Sequence, residues 1–192
     1  IYDRLVYEQE HVCFPSLPGM WERTILMGGF SKAYAMTGWR IGFVAAPARI
    51  CDGMVRIHQY SVMSAPTISQ YAALEALRVG EPYVQEMRAE YARRRQLIWS
   101  GLNALGLKTS LPGGAFYVFP DITSSGLDDE AFAEKLLQEE HVAVVPGRSF
   151  GDSGIGFVRC SYAAEYHSIE IALERIAAFL ERPAMKRIAL ML

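Results

Sequence analysis

The sequence predicts an α/β fold, and two patterns in the chain of 192 residues support this prediction. The first third contains short, uncharged apolar runs bounded by glycine, which are typical of strands covered on both faces, as in a parallel sheet. The second half alternates further strands with amphipathic helices. Hydrophobic residues make up 51% and charged residues 21% of the chain, so the composition is that of a folded protein with a sizeable core.

The first half is expected to contain two strands and two helices. The strands lie at 24–28 and 41–46. Thr67 and Gln70 form a capping box that begins the first helix, and Gly80 ends it. Pro82 suits the first turn of a second helix, whose apolar face continues to about residue 105. A helix of this length often joins two lobes, so we expect a domain of residues 1–82 and a second domain of residues 83–192.

The second half is expected to alternate strands and helices. Strands are predicted at 115–119, 142–145 and 156–161, and helices at 128–138 and 168–180. Asp128 and Asp129 are expected to form an N-cap pair at the first of these helices. Pro183 is expected to end the second one. No structure is predicted for the tail at 184–192.

Charge and cysteine content exclude several functional classes. The net charge is −2, which argues against a nucleic-acid partner bound through phosphate neutralisation. The three cysteines are far apart and form no C-x-x-C pair, which excludes a zinc ribbon and a dithiol redox site and favours the cytoplasm. No membrane-spanning stretch or signal sequence is found. The first residue is Ile, so we expect this chain to be a piece of a longer protein.

Two sets of candidate residues have more ordinary interpretations. Gly147 to Gly151 match G-x-S-x-G, and Asp152 and His167 could complete a triad with Ser149, but a hydrolase elbow needs a helix after the serine. A tight glycine turn between two strands is the favoured interpretation. The three consecutive arginines at 93–95 are expected to form a solvated helix face.

The segment from Ser31 to Gly42 is the most informative part of the sequence. It places Lys32 in an apolar, glycine-flanked loop, where burial favours the neutral, nucleophilic amine. Ser31 and Arg40 provide a hydroxyl and a fixed cation suited to a phosphate dianion. An amine beside a phosphate site is what pyridoxal 5′-phosphate (PLP) requires. Spacing alone favours the simpler alternative, a surface lysine and an arginine in an ion pair.

Four segments together resemble one family. Residues 31–42 resemble the lysine motif S-K-x-x-x-M-T-G-W-R-x-G of class I/II, fold-type I PLP aminotransferases. Three further segments, 1–7, 112–117 and 144–163, resemble other motifs of that family in the same order. The resemblance implies the C-terminal portion of a large PLP-binding α/β domain, followed by a complete small α+β domain.

The resemblance also implies a cofactor site in the first domain. Lys32 is the residue that binds PLP covalently and later moves the proton between the substrate Cα and C4′ of the cofactor. Ser31 and Arg40 hold the phosphate. Tyr2 donates a hydrogen bond to the phenolic oxygen of PLP.

In the second domain, the resemblance implies substrate contacts. Arg159 binds the α-carboxylate of the substrate through a two-pronged contact, since an arginine in an apolar strand needs a planar anionic partner. Phe116 lines the substrate side, and Tyr117 belongs to the core.

The implied activity belongs to the intact protein. The partners are an amino acid and a 2-oxo acid, with most similarity to the aspartate/aromatic branch. The residue that binds the pyridine nitrogen in the family precedes Ile1, so we expect this chain alone to be inactive, to hold PLP weakly and to self-associate, the intact protein being a homodimer. A PLP-dependent lyase, such as a carbon–sulfur lyase, and a non-enzymatic regulator module remain alternatives.

Overall fold

The computed structural model describes residues 1–182, which form two compact units. Unit 1 comprises Ile1–Ala89, and unit 2 begins at Glu90. The predicted α/β class is confirmed by the mixture of helices and strands. The division into domains 1–82 and 83–192 stays a prediction. The helix stop predicted at Pro183 and the tail at 184–192 lie outside the described residues.

Unit 1 contains one hairpin and three helices in its described elements. Strand β1 (Leu26–Gly29) is followed by a short 3-10 helix and by strand β2 (Gly42–Ala45). Helices α1 (Ala48–Ser61) and α2 (Thr67–Val79) come next, and α3 (Glu81–Ala104) continues into unit 2. The long helix predicted near 82–105 is therefore confirmed.

The two strands of unit 1 differ from the parallel, fully covered strands that the sequence predicts. β1 and β2 pair antiparallel, with Leu26 opposite Ala45 and Gly29 opposite Gly42. The side chain of Met27 is 72% exposed. A parallel pair needs a long crossover, usually a helix. Residues 30–41 contain only a turn and one turn of 3-10 helix, so the chain returns as a hairpin.

Two features of the helices in unit 1 also differ from expectation. Helix α1 was not predicted, although Ile50, Met54 and Ile57 have the i, i+4, i+7 spacing of an amphipathic helix. The predicted capping box of α2 does not form, because Thr67 is already inside the helix and Pro66 occupies the cap position. Gln70 instead donates a hydrogen bond to the carbonyl of Ala65 at 2.8 Å.

Unit 2 is built around a three-stranded antiparallel sheet in the order β3-β5-β4. The strands are β3 (Tyr117–Val118), β4 (Val145–Pro146) and β5 (Val158–Ser161), and the helices are α4 (Asp129–Glu140) and α5 (Tyr166–Glu181). These elements confirm the predicted alternation, although the strands are shorter than predicted. The core lies between one face of the sheet and the two helices, where these side chains are buried: Val118, Phe132, Leu136, Val158, Cys160, Ile176 and Phe179.

The arginines at 93–95 form the predicted solvated face only in part: Arg93 is exposed and, with Arg94, pairs with Glu90, whereas Arg94 is partly buried and Arg95 is buried. Arg95 is 5% exposed, and its Nε donates to the carbonyl of Pro112 at 2.6 Å. Arg94 donates to the carbonyl of Ala164 at 2.6 Å, and Arg93 lies over the ring of Tyr166. Each guanidinium thus connects α3 to another part of unit 2, which charge patterning alone does not reveal.

The predicted aspartate pair divides into two roles. Asp128 caps α4, because its side chain accepts a hydrogen bond from the amide of Ala131 at 2.8 Å. Asp129 is completely buried and binds Arg148 instead.

Among the residues described, no helix is both long and apolar enough to cross a bilayer.

Candidate active site

The predicted cofactor lysine lies in a loop that we call the lysine loop, residues 30–41. The loop connects β1 to β2 and is closed by two amides, those of Tyr34 and Met36, which both donate to the carbonyl of Phe30 at 3.2 Å. Phe30 and Met36 are buried and pack with Ala73 of α2. The apolar residues of the loop thus anchor it to α2.

Lys32 lies in the turn at 31–34 and is partly exposed, which differs from the burial that the sequence predicts. Its carbonyl accepts a hydrogen bond from the amide of Ala35 at 3.3 Å. Ala35 has a φ of 53°, an uncommon backbone conformation for a residue with a side chain. The backbone contacts of residues 31–35 therefore place Lys32 in a defined turn.

Ser31 and Arg40 lie on opposite arms of the lysine loop and are connected through Thr37. The hydroxyl of Thr37 donates to the carbonyl of Ser31 at 3.2 Å, and Nη1 of Arg40 donates to the carbonyl of Thr37 at 2.9 Å. Arg40 is exposed and, among residues 1–182, forms no ion pair with a carboxylate. Its guanidinium therefore has N–H groups left for an anion.

Tyr2 belongs to the segment that lies beside the start of this loop. The side chain of its neighbour Ile1 packs against Gly29, where an added Cβ would lie 3.0 Å from Ile1 Cδ1. The carbonyl of Tyr2 accepts a hydrogen bond from the amide of buried Leu5 at 2.8 Å. Arg4 also forms an ion pair with Glu81 of α3. The structure thus places Tyr2 in the same unit as Lys32, Ser31 and Arg40.

The amine, hydroxyl and guanidinium of the lysine loop fit PLP. A lysine amine can bond to the aldehyde carbon of PLP, and a hydroxyl with a guanidinium is a donor set for its phosphate. The unpaired guanidinium of Arg40 is the structural observation that supports this fit, because an arginine in a surface ion pair would not be available.

Arg159, the predicted carboxylate ligand, lies close to two aromatic rings in unit 2. Its Cζ lies 4.6 Å from the ring centroid of Tyr117 and 4.7 Å from that of Phe150. Within residues 1–182 it has no carboxylate partner. The two cation–π contacts hold the guanidinium without using its N–H groups, which a carboxylate can then bind in a bidentate contact.

The two neighbouring aromatic residues have burials different from those expected. Phe116 is 8% exposed and packs against Tyr91, with ring centroids 5.5 Å apart. Tyr117, expected in the core, is partly exposed and contacts Arg159. A substrate contact of Phe116 stays a prediction. The sequence analysis did not identify Tyr117 and Phe150 as partners of Arg159, although both residues lie in the motif segments 112–117 and 144–163.

The G-x-S-x-G segment is the glycine turn that the sequence favours. Ser149 lies in a 3-10 helix at Gly147–Phe150 between β4 and β5, and the α-helix of a nucleophile elbow does not follow it. An added Cβ on Gly147 would lie 2.0 Å from the carbonyl oxygen of Gly154, so the close packing requires glycine. Among the described residues, no hydrogen bond joins Ser149, Asp152 and His167. The hydrolase triad is not formed.

Comparison with known proteins identifies the family of this chain. The family model for "Aminotransferase class I and II" matches residues 1–176, so the chain belongs to this family. Members of the family use PLP.

Several relatives have names that include their substrates. An aspartate aminotransferase from Pyrococcus abyssi is 49% identical over 94% of this chain and 47% of its own length. Aromatic-amino-acid aminotransferase 2 from Thermococcus litoralis is 47% identical over 94% of this chain and 47% of its own length. The chain therefore spans about half the length of the curated relatives it matches.

A solved structure supports the same relationship at the level of the fold. The aromatic aminotransferase from Pyrococcus horikoshii OT3 matches with a TM-score of 0.93 and 47% identity, over 96% of this chain and 50% of that one. A Thermus thermophilus aspartate aminotransferase variant matches with a TM-score of 0.87 and 42% identity, over 93% of this chain and 46% of that one.

Proposed function

We propose that the full-length protein is a PLP-dependent aminotransferase that transfers an amino group from an amino acid to a 2-oxo acid. The observation that carries this proposal is the lysine loop, in which Lys32, Ser31 and an unpaired Arg40 lie together in a chain of this family. Relatives named for aspartate and aromatic amino acids support the same substrate classes here.

The residues of the lysine loop have distinct roles in this proposal. Bound PLP supplies an aldehyde that accepts the amino group and a ring that withdraws electrons from the substrate Cα. Lys32 holds PLP covalently in the resting enzyme. Once free, the amine of Lys32 would act as the acid–base group that takes the proton from the substrate Cα and returns it. Ser31 and Arg40 bind the phosphate, and Tyr2 donates a hydrogen bond to the phenolic oxygen.

Arg159 binds the α-carboxylate of the amino acid, and Phe116 lines the substrate side. The two aromatic rings beside Arg159 support this role, because cation–π contacts hold the guanidinium without using its N–H groups. A planar carboxylate meets those N–H groups with two parallel hydrogen bonds. The same contact serves the 2-oxo acid, which carries the same carboxylate.

The test of the proposed function uses the full-length protein and two lysine variants. Lys32→Ala removes the acid–base amine and is expected to lower the transamination rate by about 1,000-fold. Lys108→Ala removes an exposed lysine of unit 2 and is the matched control, with the wild-type rate expected. The assay supplies aspartate or an aromatic amino acid with a 2-oxo acid. Wild-type activity in Lys32→Ala would contradict the proposal.

The same assay distinguishes the lyase alternative by its products. An aminotransferase converts the amino acid and the 2-oxo acid into a new pair of the same kinds. A carbon–sulfur lyase releases pyruvate and ammonia without a second substrate. The relatives and structures cited above are aminotransferases by name, and no feature of the described residues favours the lyase or the regulator module.

The substrate role of Arg159 has a separate test. Arg159→Lys keeps the charge but loses the two-pronged geometry, so KM for the amino acid should rise about tenfold. The affinity for PLP should stay near that of the wild-type protein. Equal losses of both affinities would show that Arg159 is a structural residue.

Assembly and location complete the proposal. We expect a homodimer, because unit 1 exposes many large apolar side chains that association could cover. Light scattering coupled to size-exclusion chromatography measures this directly, and a monodisperse monomer would contradict it. A cytoplasmic location is proposed from the free state of Cys13, Cys51 and Cys160.

A further inference from the structure

Asp129 is a buried carboxylate whose position the capping of α4 does not explain. Its side chain is completely buried at the start of the helix, and the capping bond comes from its neighbour Asp128. Burying a carboxylate is costly unless it is paired and hydrogen-bonded. A partner of Asp129 must therefore offset the free-energy cost of burying its carboxylate.

That partner is Arg148, which Asp129 binds through both its backbone and its side chain. The amide of Arg148 donates to Oδ2 of Asp129 at 2.8 Å, and Nε and Nη2 donate to Oδ1 at 3.0 and 2.7 Å. Arg148 is the second residue of the 3-10 helix at Gly147–Phe150. One carboxylate thus fixes both the backbone and the side chain of this turn, while Glu130 contacts the same guanidinium from the exposed surface.

The turn carries Phe150, whose ring contacts Arg159. Phe150 is 50% exposed, so its own burial fixes it weakly. It also meets Phe119 edge-on, with ring centroids 5.8 Å apart. The contacts that fix the backbone of the turn therefore decide where this ring lies over the guanidinium.

We propose that Asp129 is a positioning residue for substrate binding: through Arg148 it holds the turn that places Phe150 on Arg159. Without that ring, the guanidinium keeps only its contact with Tyr117 and can tilt away from the orientation that a carboxylate needs. This inference rests on the proposed role of Arg159, and it adds a dependence of substrate affinity on a residue that does not touch the substrate.

The test measures substrate affinity and the orientation of Arg159 in the full-length protein. Asp129→Asn is expected to raise KM for the amino acid about fivefold, the size of one lost cation–π contact, with kcat and PLP affinity unchanged. Phe150→Leu is expected to give the same increase. The double variant should be no worse than Phe150→Leu alone, because both changes remove the same contact.

A nuclear magnetic resonance readout separates positioning from general stability. The Nε–H signal of Arg159, assigned with Arg159→Lys, should carry a ring-current shift from Phe150. Asp129→Asn and Phe150→Leu should both move this signal, whereas a variant that is merely less stable leaves the signal of the folded protein in place. If Asp129→Asn does not fold, Arg148→Lys takes its place, since lysine cannot make the same bonds.

Glu130→Gln is the matched control, because it removes an exposed carboxylate from the same guanidinium. It should leave KM and the Arg159 signal unchanged. An unmoved signal and unchanged KM in Asp129→Asn, with KM raised in Arg159→Lys, would overturn the inference while leaving the proposed function intact. A wild-type protein without transaminase activity would overturn the proposed function, and the signal would still show whether Asp129 positions Arg159.

Discussion

The two units differ in how they treat their apolar side chains. Unit 2 buries the largest of them in a core of its own, including Tyr162, Phe132 and Phe179. Unit 1 leaves large apolar side chains exposed on its hairpin and its helices; examples are Met27, Phe43, Ile57, Tyr60 and Tyr71. Unit 2 therefore has a core of its own, whereas the apolar surfaces of unit 1 are expected to be covered in the full-length protein.

Helix α1 shows the difference most clearly. None of its residues is buried, and Tyr60 is 90% exposed although the helix is amphipathic. Helix α4 of unit 2 buries Phe132, Ala133 and Leu136 along one face. Two helices of similar pattern thus differ in whether this chain provides the surface that covers them. The difference separates a unit stabilised by its own contacts from one that needs others.

The largest expected effect is on the core of unit 2. Phe132 is 1% exposed and meets Phe179 edge-on, with ring centroids 5.5 Å apart. Phe132→Ala should lower the free energy of unfolding by about 4 kcal/mol, because removing the ring leaves a cavity in the core. Ile57→Ala on α1 should change it by less than about 0.5 kcal/mol.

The fluorescence of Trp99 reports the unfolding of unit 2 once Trp21 and Trp39 are replaced by Phe, and the fluorescence of Trp21 and Trp39 reports the unfolding of unit 1 once Trp99 is replaced by Phe. Urea titration of the 192-residue chain gives the free energies. Leu137→Ala, on the exposed side of the same helix as Phe132, is the control and should resemble Ile57→Ala. Similar losses in Phe132→Ala and Ile57→Ala would remove the distinction between the units.

The next largest expected change in the free energy of unfolding comes from the Asp129–Arg148 pair, and this change depends on pH. Hydrogen bonds from Arg148 lower the pKa of Asp129 from 3.8 to about 2. A carboxyl with a lowered pKa in the folded state stabilises the protein above its unfolded pKa and loses that effect as the pH falls. Asp129→Asn should therefore cost about 2 kcal/mol at pH 7.

Acid titration tests the sign of this contribution. Between pH 4 and pH 2, the stability of the wild-type unit 2 should fall further than that of Asp129→Asn, so the two curves approach each other. Unfolding curves followed by Trp99 fluorescence at each pH provide the measurement. A constant difference between the two proteins over this range would show that the pair contributes nothing through the charge of Asp129.

Sequence patterns predicted the folds of the two units unequally, for the same physical reason. In unit 2 the apolar pattern and the burial agree, so the two helices after α3 were predicted to within two residues at each end, while the strands were predicted in the right order but too long. In unit 1 the apolar runs at β1 and β2 indicated covered parallel strands, but the chain forms an exposed hairpin. An apolar run indicates that a surface is covered, but it does not indicate which part of the protein covers that surface.

The smallest effects compare one hydrogen bond in each unit. Ser69 of α2 donates to the carbonyl of Trp39 in the lysine loop at 2.8 Å, and Tyr162 of unit 2 donates to the carbonyl of Ala115 at 3.0 Å. Ser69→Ala and Tyr162→Phe should each cost about 1 kcal/mol. Ser69→Ala should speed hydrogen exchange in residues 30–41 about fivefold, while Tyr162→Phe should leave those amides unchanged.

The sequence predicted the residues of the candidate site, but it did not predict the residues that hold them in place. The lysine loop and Arg159 belong to sequence motifs that indicate a chemical role, so their roles could be proposed from the sequence alone. The roles of Arg148 and Phe150 depend on contacts between distant parts of the chain. Asp129 next to Asp128 indicates a cap, and no local pattern separates the aspartate that caps α4 from the one that holds the turn.

Borohydride reduction with PLP tests the central claim most directly, because it fixes the cofactor to the lysine that holds it. In the full-length protein, peptide mapping should find the label on Lys32 of unit 1 and not on Lys108 or Lys135 of unit 2, and Lys32→Ala should remove it. The 192-residue chain alone should take up little label, since we expect it to hold PLP weakly. A label spread over Lys108, Lys135 and Lys186 in the full-length protein would contradict the account.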